Sequence, residues 1–131
     1  MKKIILIVFY LFTGYIAVCQ TLDCAKFKDG KFRIPGATEA EGSTFIDRKG
    51  NYQVESNETL KFILKFKVVW LDECTYTLKL DSVIKNEKNF PLQADMVVKV
   101  KITGTLKESY LQESSVLNLP VFKSEVFKIR E

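Results

Sequence analysis

Hydrophobic and polar residues alternate along most of the chain after residue 20. The clearest row of apolar residues is Leu60, Phe62, Leu64, Phe66, Val68 and Trp70, and Lys61, Lys65 and Lys67 lie between them. A second row, Cys74, Tyr76, Leu78 and Leu80, alternates with Thr75, Thr77, Lys79 and Asp81; a third row, Met96, Val98, Val100 and Ile102, alternates with Lys99, Lys101 and Thr103. A period of two residues predicts strands with one buried and one solvated face.

Weaker patterns predict further strands on both sides of these three. Residues 30–35 form a short strand, 43–56 form a hairpin that turns at 49–51, and 110–117 and 121–130 form two closing strands. Residues 22–28 predict a helical turn with Asp23 as its cap. We therefore expect an all-β domain, an antiparallel meander of about eight strands that closes into a small up-and-down, lipocalin-like barrel. Two packed sheets are the alternative.

The first 19 residues have the pattern of a cleaved signal peptide. Lys2 and Lys3 form a basic start, and 4–12 is an unbroken apolar run. This run is shorter than the about 20 apolar residues that a membrane-spanning helix needs. It has the length of a signal-peptide core, whereas a buried strand or an uncleaved anchor is the alternative interpretation.

Small residues mark the expected cleavage point. Ala17 and Cys19 occupy the third and first positions before a cut that leaves Gln20 as the first residue. We therefore expect a single mature β domain, 20–131, that is exported to the periplasm or cell surface. A lipoprotein anchored through Cys19 is the rival, although Val18 stands where the lipidation motif has a small residue.

Composition and charge narrow the classes of function. Two of the net charges of +4 come from Lys2 and Lys3, so the mature domain does not require a polyanionic partner such as nucleic acid. The chain has no histidine, no glycine-rich phosphate loop and no CxxC pair, which excludes histidine-dependent nucleophilic catalysis and most zinc sites. Asp72 and Glu73 lie on a predicted turn, where charge is expected for solubility. We expect a protein that is not an enzyme and has no cofactor or metal.

Cys24 and Cys74 remain after the predicted cleavage. In an oxidising compartment they are candidates for a disulfide, which would close a loop of about 50 residues and stabilise the fold by about 4 kcal/mol. The bond would also hold the N-terminal segment over one end of the barrel. Two buried free thiols are the alternative, because spacing alone does not show that two side chains meet.

Two sets of side chains are candidate binding surfaces. The first set is an inward row that could line a ligand cavity or fill the core: Phe62, Phe66, Trp70, Tyr76 and Met96. The second set is outward and could form a basic patch for lipid headgroups or polysaccharide: Lys61, Lys65, Lys67, Lys79, Lys99 and Lys101. A solvated outer face, whose lysines discourage edge pairing, is the alternative for this second set.

The segments CAKFKDGKFRI and FKVVWLDECTYTLKLDS resemble a family of short, exported, uncharacterised β-rich proteins of Gram-negative bacteria. The matching residues are Cys24, Gly30, Lys31, Phe32, Trp70, Leu71, Cys74, Tyr76 and Leu78. The resemblance covers the opening and the middle of the mature chain, supports the pairing of the two cysteines and implies no activity. A topoisomerase label that some short relatives carry is not transferred, because this chain is small, is expected to be exported and lacks an ATP-binding loop.

Together these features predict a non-enzymatic protein of the periplasm or cell envelope. It would bind a small apolar molecule inside the barrel or an envelope protein on its surface. The alternative is a structural or accessory component whose lysine-rich face docks on the membrane or on polysaccharide.

Overall fold

Eight antiparallel strands form one closed barrel in the computed structural model, which describes residues 21–117 and 119–130. A 3₁₀ turn, Ala25–Phe27, precedes the strands, which are β1 (Gly30–Ile34), β2 (Thr44–Lys49), β3 (Tyr52–Asn57), β4 (Phe62–Trp70), β5 (Thr75–Asn86), β6 (Val97–Thr105), β7 (Ser109–Ser115) and β8 (Phe122–Lys128). Each strand pairs with the next, and the pairing of Phe32 with Lys128 and of Arg33 with Phe127 joins β1 to β8. The predicted meander and its closure into an up-and-down barrel are therefore confirmed.

The predicted leader lies outside the described residues. This applies to the signal peptide 1–19, to the cut after Cys19 and to the alternative of a lipid on that cysteine. Among residues 21–117 and 119–130, no helix has both the length and the apolar character needed to cross a bilayer.

Two of the differences between the predicted and the observed strand boundaries have a clear cause in the backbone. The backbone of Lys61 has a φ of 55°, so the chain still turns there and β4 begins at Phe62 rather than Leu60. Strand β5 continues to Asn86, and its pairing with β4 shifts twice, between Ile63 and Leu64 and again between Lys65 and Phe66. Such bulges bend a strand and interrupt its alternation, which is why this part of β5 has no clear inward row in the sequence.

The N-terminal segment covers one end of the barrel, as predicted. The disulfide between Cys24 and Cys74 is present, with 5.4 Å between the two Cα atoms. It joins the 3₁₀ turn to the connection between β4 and β5. The prediction of Asp23 as a helix cap is wrong, because the turn begins after Cys24 without a side-chain cap and the backbone N–H of Asp23 donates to Thr105 Oγ1 instead.

The end that the 3₁₀ turn covers is called here the closed end, and the opposite end is called the open end. The core cluster nearest the closed end contains Cys24, Phe27, Phe32, Ile46, Ile102, Tyr110 and Val126. A second cluster, on the inner faces of β4, β5 and β6, contains Leu64, Phe66, Val68, Tyr76, Leu78 and Val100. The inward rows of the sequence thus supply all six residues of the second cluster, whereas the first is assembled from all parts of the chain.

Candidate functional site

A cavity of about 330 Å³ lies inside the barrel towards the open end. Strands β4, β5 and β6 give it an apolar wall made of Phe66, Leu78, Val98 and Val100. Strands β3, β7 and β8 contribute polar side chains, which are Gln53, Glu55, Gln112, Ser114 and Ser124. The exposed residues Phe122 and Lys123 also line it and mark its rim. An apolar wall with a few polar groups is the usual composition of a small-molecule site.

Arg48 separates this cavity from the closed end. Its guanidinium donates from Nε to Gln53 Oε1 at 2.7 Å and from Nη1 to the carbonyl oxygen of Phe27 at 2.8 Å. The Nη2 atom donates to the hydroxyls of Tyr76 at 2.8 Å and of Tyr110 at 3.0 Å. The side chain is only 1% exposed, so these bonds replace the water that a buried guanidinium needs. Arg48 therefore ties β2, β3, β5, β7 and the 3₁₀ turn together.

Strand register explains how Arg48 reaches these partners. Arg48 lies two residues after Ile46 on β2, so both side chains point into the barrel. Arg48 is also directly opposite Gln53 on β3, which places the two side chains side by side on the inner face. The β2–β3 hairpin turns at Gly50, whose φ of 59° suits glycine, and this turn was predicted from the sequence.

The tyrosine hydroxyls favour the charge on Arg48. Burial lowers the pKa of Arg48, but Tyr76, Tyr110 and Glu55 together outweigh burial, and the pKa of Arg48 is raised above its ordinary value. Burial raises the pKa of Tyr76 well above its usual value, and the charge of Arg48 opposes this increase without cancelling it. Tyr76 therefore acts as a neutral hydrogen-bonding group beside a buried cation.

Glu55 is the acidic side chain among the described residues that line the cavity. Its Oε1 accepts a hydrogen bond from Gln53 Nε2 at 2.7 Å. The Gln53 amide thus bonds Arg48 with its oxygen and Glu55 with its nitrogen, and it links the cation of the closed end to the carboxyl group of the cavity. Burial raises the pKa of Glu55, while the bond from Gln53 and the charge of Arg48 act in the opposite direction.

The five inward residues predicted for a ligand site do not all meet in one place. Phe66 and Tyr76 line the cavity. Phe62 lines a separate apolar pocket of about 180 Å³ nearer the rim, where its ring lies 6.3 Å from that of Phe90.

The other two predicted residues lie away from the cavity. Trp70 packs at the end of β4 that leads to the closed end, where its ring lies 4.6 Å from Tyr76 and 5.0 Å below Lys28 Nζ. Met96 is half-buried immediately before β6 and is not among the described residues that line either pocket. Trp70 packs against the core, so the alternation predicted its face correctly but not its height along the barrel.

Sequence reasoning missed the polar side of the cavity. Gln53 and Glu55 follow each other at a period of two on β3, and Gln112 and Ser114 do so on β7. An alternation of this kind normally places polar residues outside, so only the register of the hairpin could have assigned them to the interior. The apolar residue Ile46 was the usable signal, because it indicates which face of β2 is buried. Arg48 lies on the same face as Ile46, and Gln53 is directly opposite Arg48 on β3, so Gln53 must also face inward.

Five of the six predicted patch lysines share the outer face of β4, β5 and β6: Lys65, Lys67, Lys79, Lys99 and Lys101. Lys67 is directly opposite Lys79 across the β4–β5 ladder. Lys61 lies in the turn before β4, away from the other five. Its Nζ is 3.9 Å from Glu87, which partly neutralises its charge. We call the five lysines on the strands the lysine face.

Asp72, one of the two predicted turn acids, behaves as a structural group. Asp72 Oδ1 accepts a hydrogen bond from the backbone N–H of Cys74 at 2.9 Å, which closes the tight connection between β4 and β5. This bond is the largest reason why the pKa of Asp72 is lowered. Among the described residues, no group of three or more Cys, Asp or Glu side chains could hold a metal ion.

Comparison with known proteins identifies no relative. No protein-family model, no curated protein sequence and no solved structure matches this chain. Its own residues, and above all the walls of the cavity, are therefore the basis for proposing a function.

Proposed function

We propose that the protein is a non-enzymatic binding protein that holds one small, largely apolar molecule inside its barrel. The observation that carries this proposal is the cavity of about 330 Å³, which has an apolar wall on one side and polar groups on the other. Small-molecule sites have volumes of about 300–1,000 Å³, so the cavity suits a small ligand. Of the two ligands that the sequence predicted, a small molecule or an envelope protein, the cavity favours the small molecule.

The distribution of side-chain size explains why space remains at this position. Phe27, Phe32 and Tyr110 fill the closed end, where their rings lie 5.1–6.4 Å apart. On the cavity side the inward residues of β7 and β8 include the small side chains Ser114 and Ser124. A barrel of eight strands is either filled by its side chains or holds one small ligand, and this barrel is filled at one end only.

The disulfide supports a location outside the cytoplasm. Disulfides persist in oxidising compartments, so the bond between Cys24 and Cys74 is consistent with export. We therefore place the proposed activity in the periplasm or at the cell surface, where the predicted signal peptide would direct the chain.

A fluorescent apolar probe tests the proposal. N-phenyl-1-naphthylamine should bind saturably, and its emission should increase when the barrel excludes water from it. Val98→Phe, on the apolar wall, should reduce the affinity at least about tenfold because the new ring occupies the cavity. Val97→Phe is the matched control, since this neighbouring side chain is exposed on the outer face and should bind the probe as the wild type does.

The proposal fails if the probe does not bind saturably, or if the two phenylalanine variants bind it equally. A native mass spectrum of protein that was made with its own leader and purified from the envelope fraction provides a second test. It would show the mass of any retained ligand, the cleavage point and the loss of two hydrogens in the disulfide.

A second candidate function is docking of the lysine face on an anionic membrane surface. Like charges directly opposite each other on neighbouring strands destabilise a sheet, and Lys67 and Lys79 have this arrangement. No described carboxylate lies within ion-pair distance of Lys67, Lys79 or Lys99. An external anion would offset this repulsion. The opposed lysines do not help the sheet to fold, so binding of an anion would account for their arrangement.

Vesicle sedimentation tests this candidate. The protein should bind vesicles that contain equal parts of phosphatidylglycerol and phosphatidylcholine, and salt should weaken the binding. The double substitution Lys67→Gln with Lys79→Gln should abolish it, whereas Lys49→Gln with Lys107→Gln changes the net charge equally but lies off the face. Equal binding by both double variants would show that only net charge matters, and binding to soluble anionic polysaccharide instead would indicate the other predicted partner.

A further inference from the structure

Glu55 presents unused hydrogen-bond acceptor capacity to the cavity. Its Oε1 accepts the bond from Gln53 Nε2, and no described donor reaches its other oxygen. An ionised carboxylate can accept about four hydrogen bonds, so one bond leaves most of this capacity free. The side chain lies on the inner face of β3 and lines the cavity beside the apolar wall.

The charged and amide donors near the cavity are already engaged by the protein. Arg48 donates to four protein acceptors and does not line the cavity. Gln112 Nε2 donates to Ser124 Oγ at 3.1 Å. Lys123 Nζ, at the rim, lies 3.8 Å from Glu113, and its side chain is 78% exposed. Three hydroxyl groups are exceptions. The hydroxyl of Tyr76 reaches Gln112 Oε1 only at 3.5 Å, which is a weak hydrogen bond, and the neutral hydroxyls of Ser114 and Ser124 also line the cavity.

The environment of Glu55 distinguishes between head groups of opposite character. Burial raises the pKa of Glu55, which shows that the apolar surroundings disfavour its charge. A donor placed on the free oxygen would compensate this cost. The carboxylate of a fatty acid would instead bring a second negative charge into the same apolar volume, where like charges repel strongly.

We infer that Glu55 selects the head group of the ligand: the cavity takes a single-chain amphiphile whose head group donates a hydrogen bond, an alcohol or a protonated amine, and it discriminates against fatty acids. The chain lies against Phe66, Leu78 and Val100, and the head group lies against Glu55. This inference rests on the proposed function and adds the chemical class of the ligand to it.

A panel of ligands with equal chain length isolates the head group. Displacement of N-phenyl-1-naphthylamine at pH 7 is measured for 1-octanol, octylamine and octanoic acid. The wild type should bind the alcohol and the amine at least about tenfold more tightly than the acid, which corresponds to about 1.4 kcal/mol. Glu55→Gln should reduce this preference to about twofold or less, because the amide keeps the size of the side chain without its charge.

Glu73→Gln is the matched control. It is the same substitution at an exposed residue in the connection between β4 and β5, at the closed end and outside the residues that line the cavity, and it should leave the preference unchanged. Circular dichroism and melting temperature show whether each variant is folded. The order of affinities in the wild type tests the inference even if Glu55→Gln does not fold.

The outcomes separate this inference from the proposed function. If the acid binds as tightly as the alcohol, or if Glu55→Gln keeps the full preference, the inference is overturned while binding in the barrel stands. If neither the probe nor any of the three ligands binds, the proposed function fails and the inference fails with it.

Discussion

The closed end joins its strands by connections of two to four residues, 50–51, 71–74 and 106–108, whereas the open end uses four to ten residues, 35–43, 58–61, 87–96 and 116–121. The closed end is also tied by the disulfide, by Arg48 and by the packed rings of Phe27, Phe32 and Tyr110. The open end contains the cavity and the side chains at its rim.

This difference indicates that the closed end stabilises the barrel and the open end contains the candidate binding site. Short loops, a covalent bond and complete hydrogen bonding make the closed end rigid, and rigid elements hold a binding site more precisely than loops do. In the described residues, no buried side-chain nitrogen or oxygen lacks a hydrogen-bond partner. The polar groups inside the barrel are thus an organised network, and the free acceptor capacity of Glu55 lies at the end of that network which faces the cavity.

Loss of the disulfide should have the largest effect on stability. Cys24→Ser with Cys74→Ser opens a loop with a sequence separation of 50 residues, and the free energy of unfolding should fall by about 4 kcal/mol on the chain-entropy model. Thermal melting of the oxidised wild type and of the variant measures this change. The reduced wild type should have the same melting temperature as the variant. If neither reduction nor substitution lowers the melting temperature, the closed end does not depend on the disulfide.

Removal of Arg48 should have the next largest effect. Arg48→Met leaves the hydroxyls of Tyr76 and Tyr110 without their donor, and the free energy of unfolding should fall by about 3 kcal/mol, since each unpaired buried group costs about 1–3 kcal/mol. Urea unfolding measures the change. Arg33→Met removes a half-buried arginine from β1 as a control and should cost less than about 1 kcal/mol.

A triple variant separates unpaired hydroxyls from lost packing. Adding Tyr76→Phe and Tyr110→Phe to Arg48→Met removes both partners, and removal of both partners of a buried hydrogen bond is much less harmful than removal of one. The triple variant should therefore recover part of the lost stability. A further decrease would show that the hydroxyls have other roles at the closed end.

A substitution at Glu55 should have the smallest effect on stability, and it should stabilise the protein rather than destabilise it. Because burial raises its pKa, the folded state binds this proton more tightly than the unfolded chain does. The contribution of Glu55 to stability is therefore fully present at low pH and is lost as the pH rises from the ordinary value of 4.5 through the higher pKa of the folded state.

The measurement is the melting temperature against pH for Glu55→Gln and for the wild type. The variant should melt a few degrees above the wild type at pH 7 and close to it below pH 4, because the amide does not ionise. A difference that grows as the pH falls would contradict the assigned direction of the pKa of Glu55.

The sequence predicted the strands well because the alternation that marks a strand is visible within a few consecutive residues. Alternation from Phe62 to Trp70 and from Tyr76 to Leu80 reports which side chains face inward, and the structure confirms those faces. Alternation carries no information on height along the barrel, which depends on strand tilt and register. For this reason Phe66 and Tyr76 line the cavity, whereas Trp70 lies towards the closed end.

The polar residues of the site were hidden for a different reason. A polar residue in a strand normally faces water, so Arg48, Gln53 and Glu55 look like outer-face residues when each is considered alone. The burial of Arg48 and Gln53 is acceptable only because their hydrogen bonds are satisfied across strands, by each other, by Glu55 and by Tyr76 and Tyr110. Such bonds join residues up to 62 positions apart, beyond the reach of any local pattern.

The amino-acid sequence alone predicted the all-β class, the approximate strands and the hairpin at Gly50, because these features follow from residue types and spacing within short windows. It offered Cys24 and Cys74 as candidates for a disulfide, and the fold shows that the two side chains meet. Only the tertiary structure decided that the barrel is packed at one end and hollow towards the other, and that Glu55 faces the hollow. A cavity is the volume that side chains from several strands leave unfilled, so it exists only once the strands have closed around it.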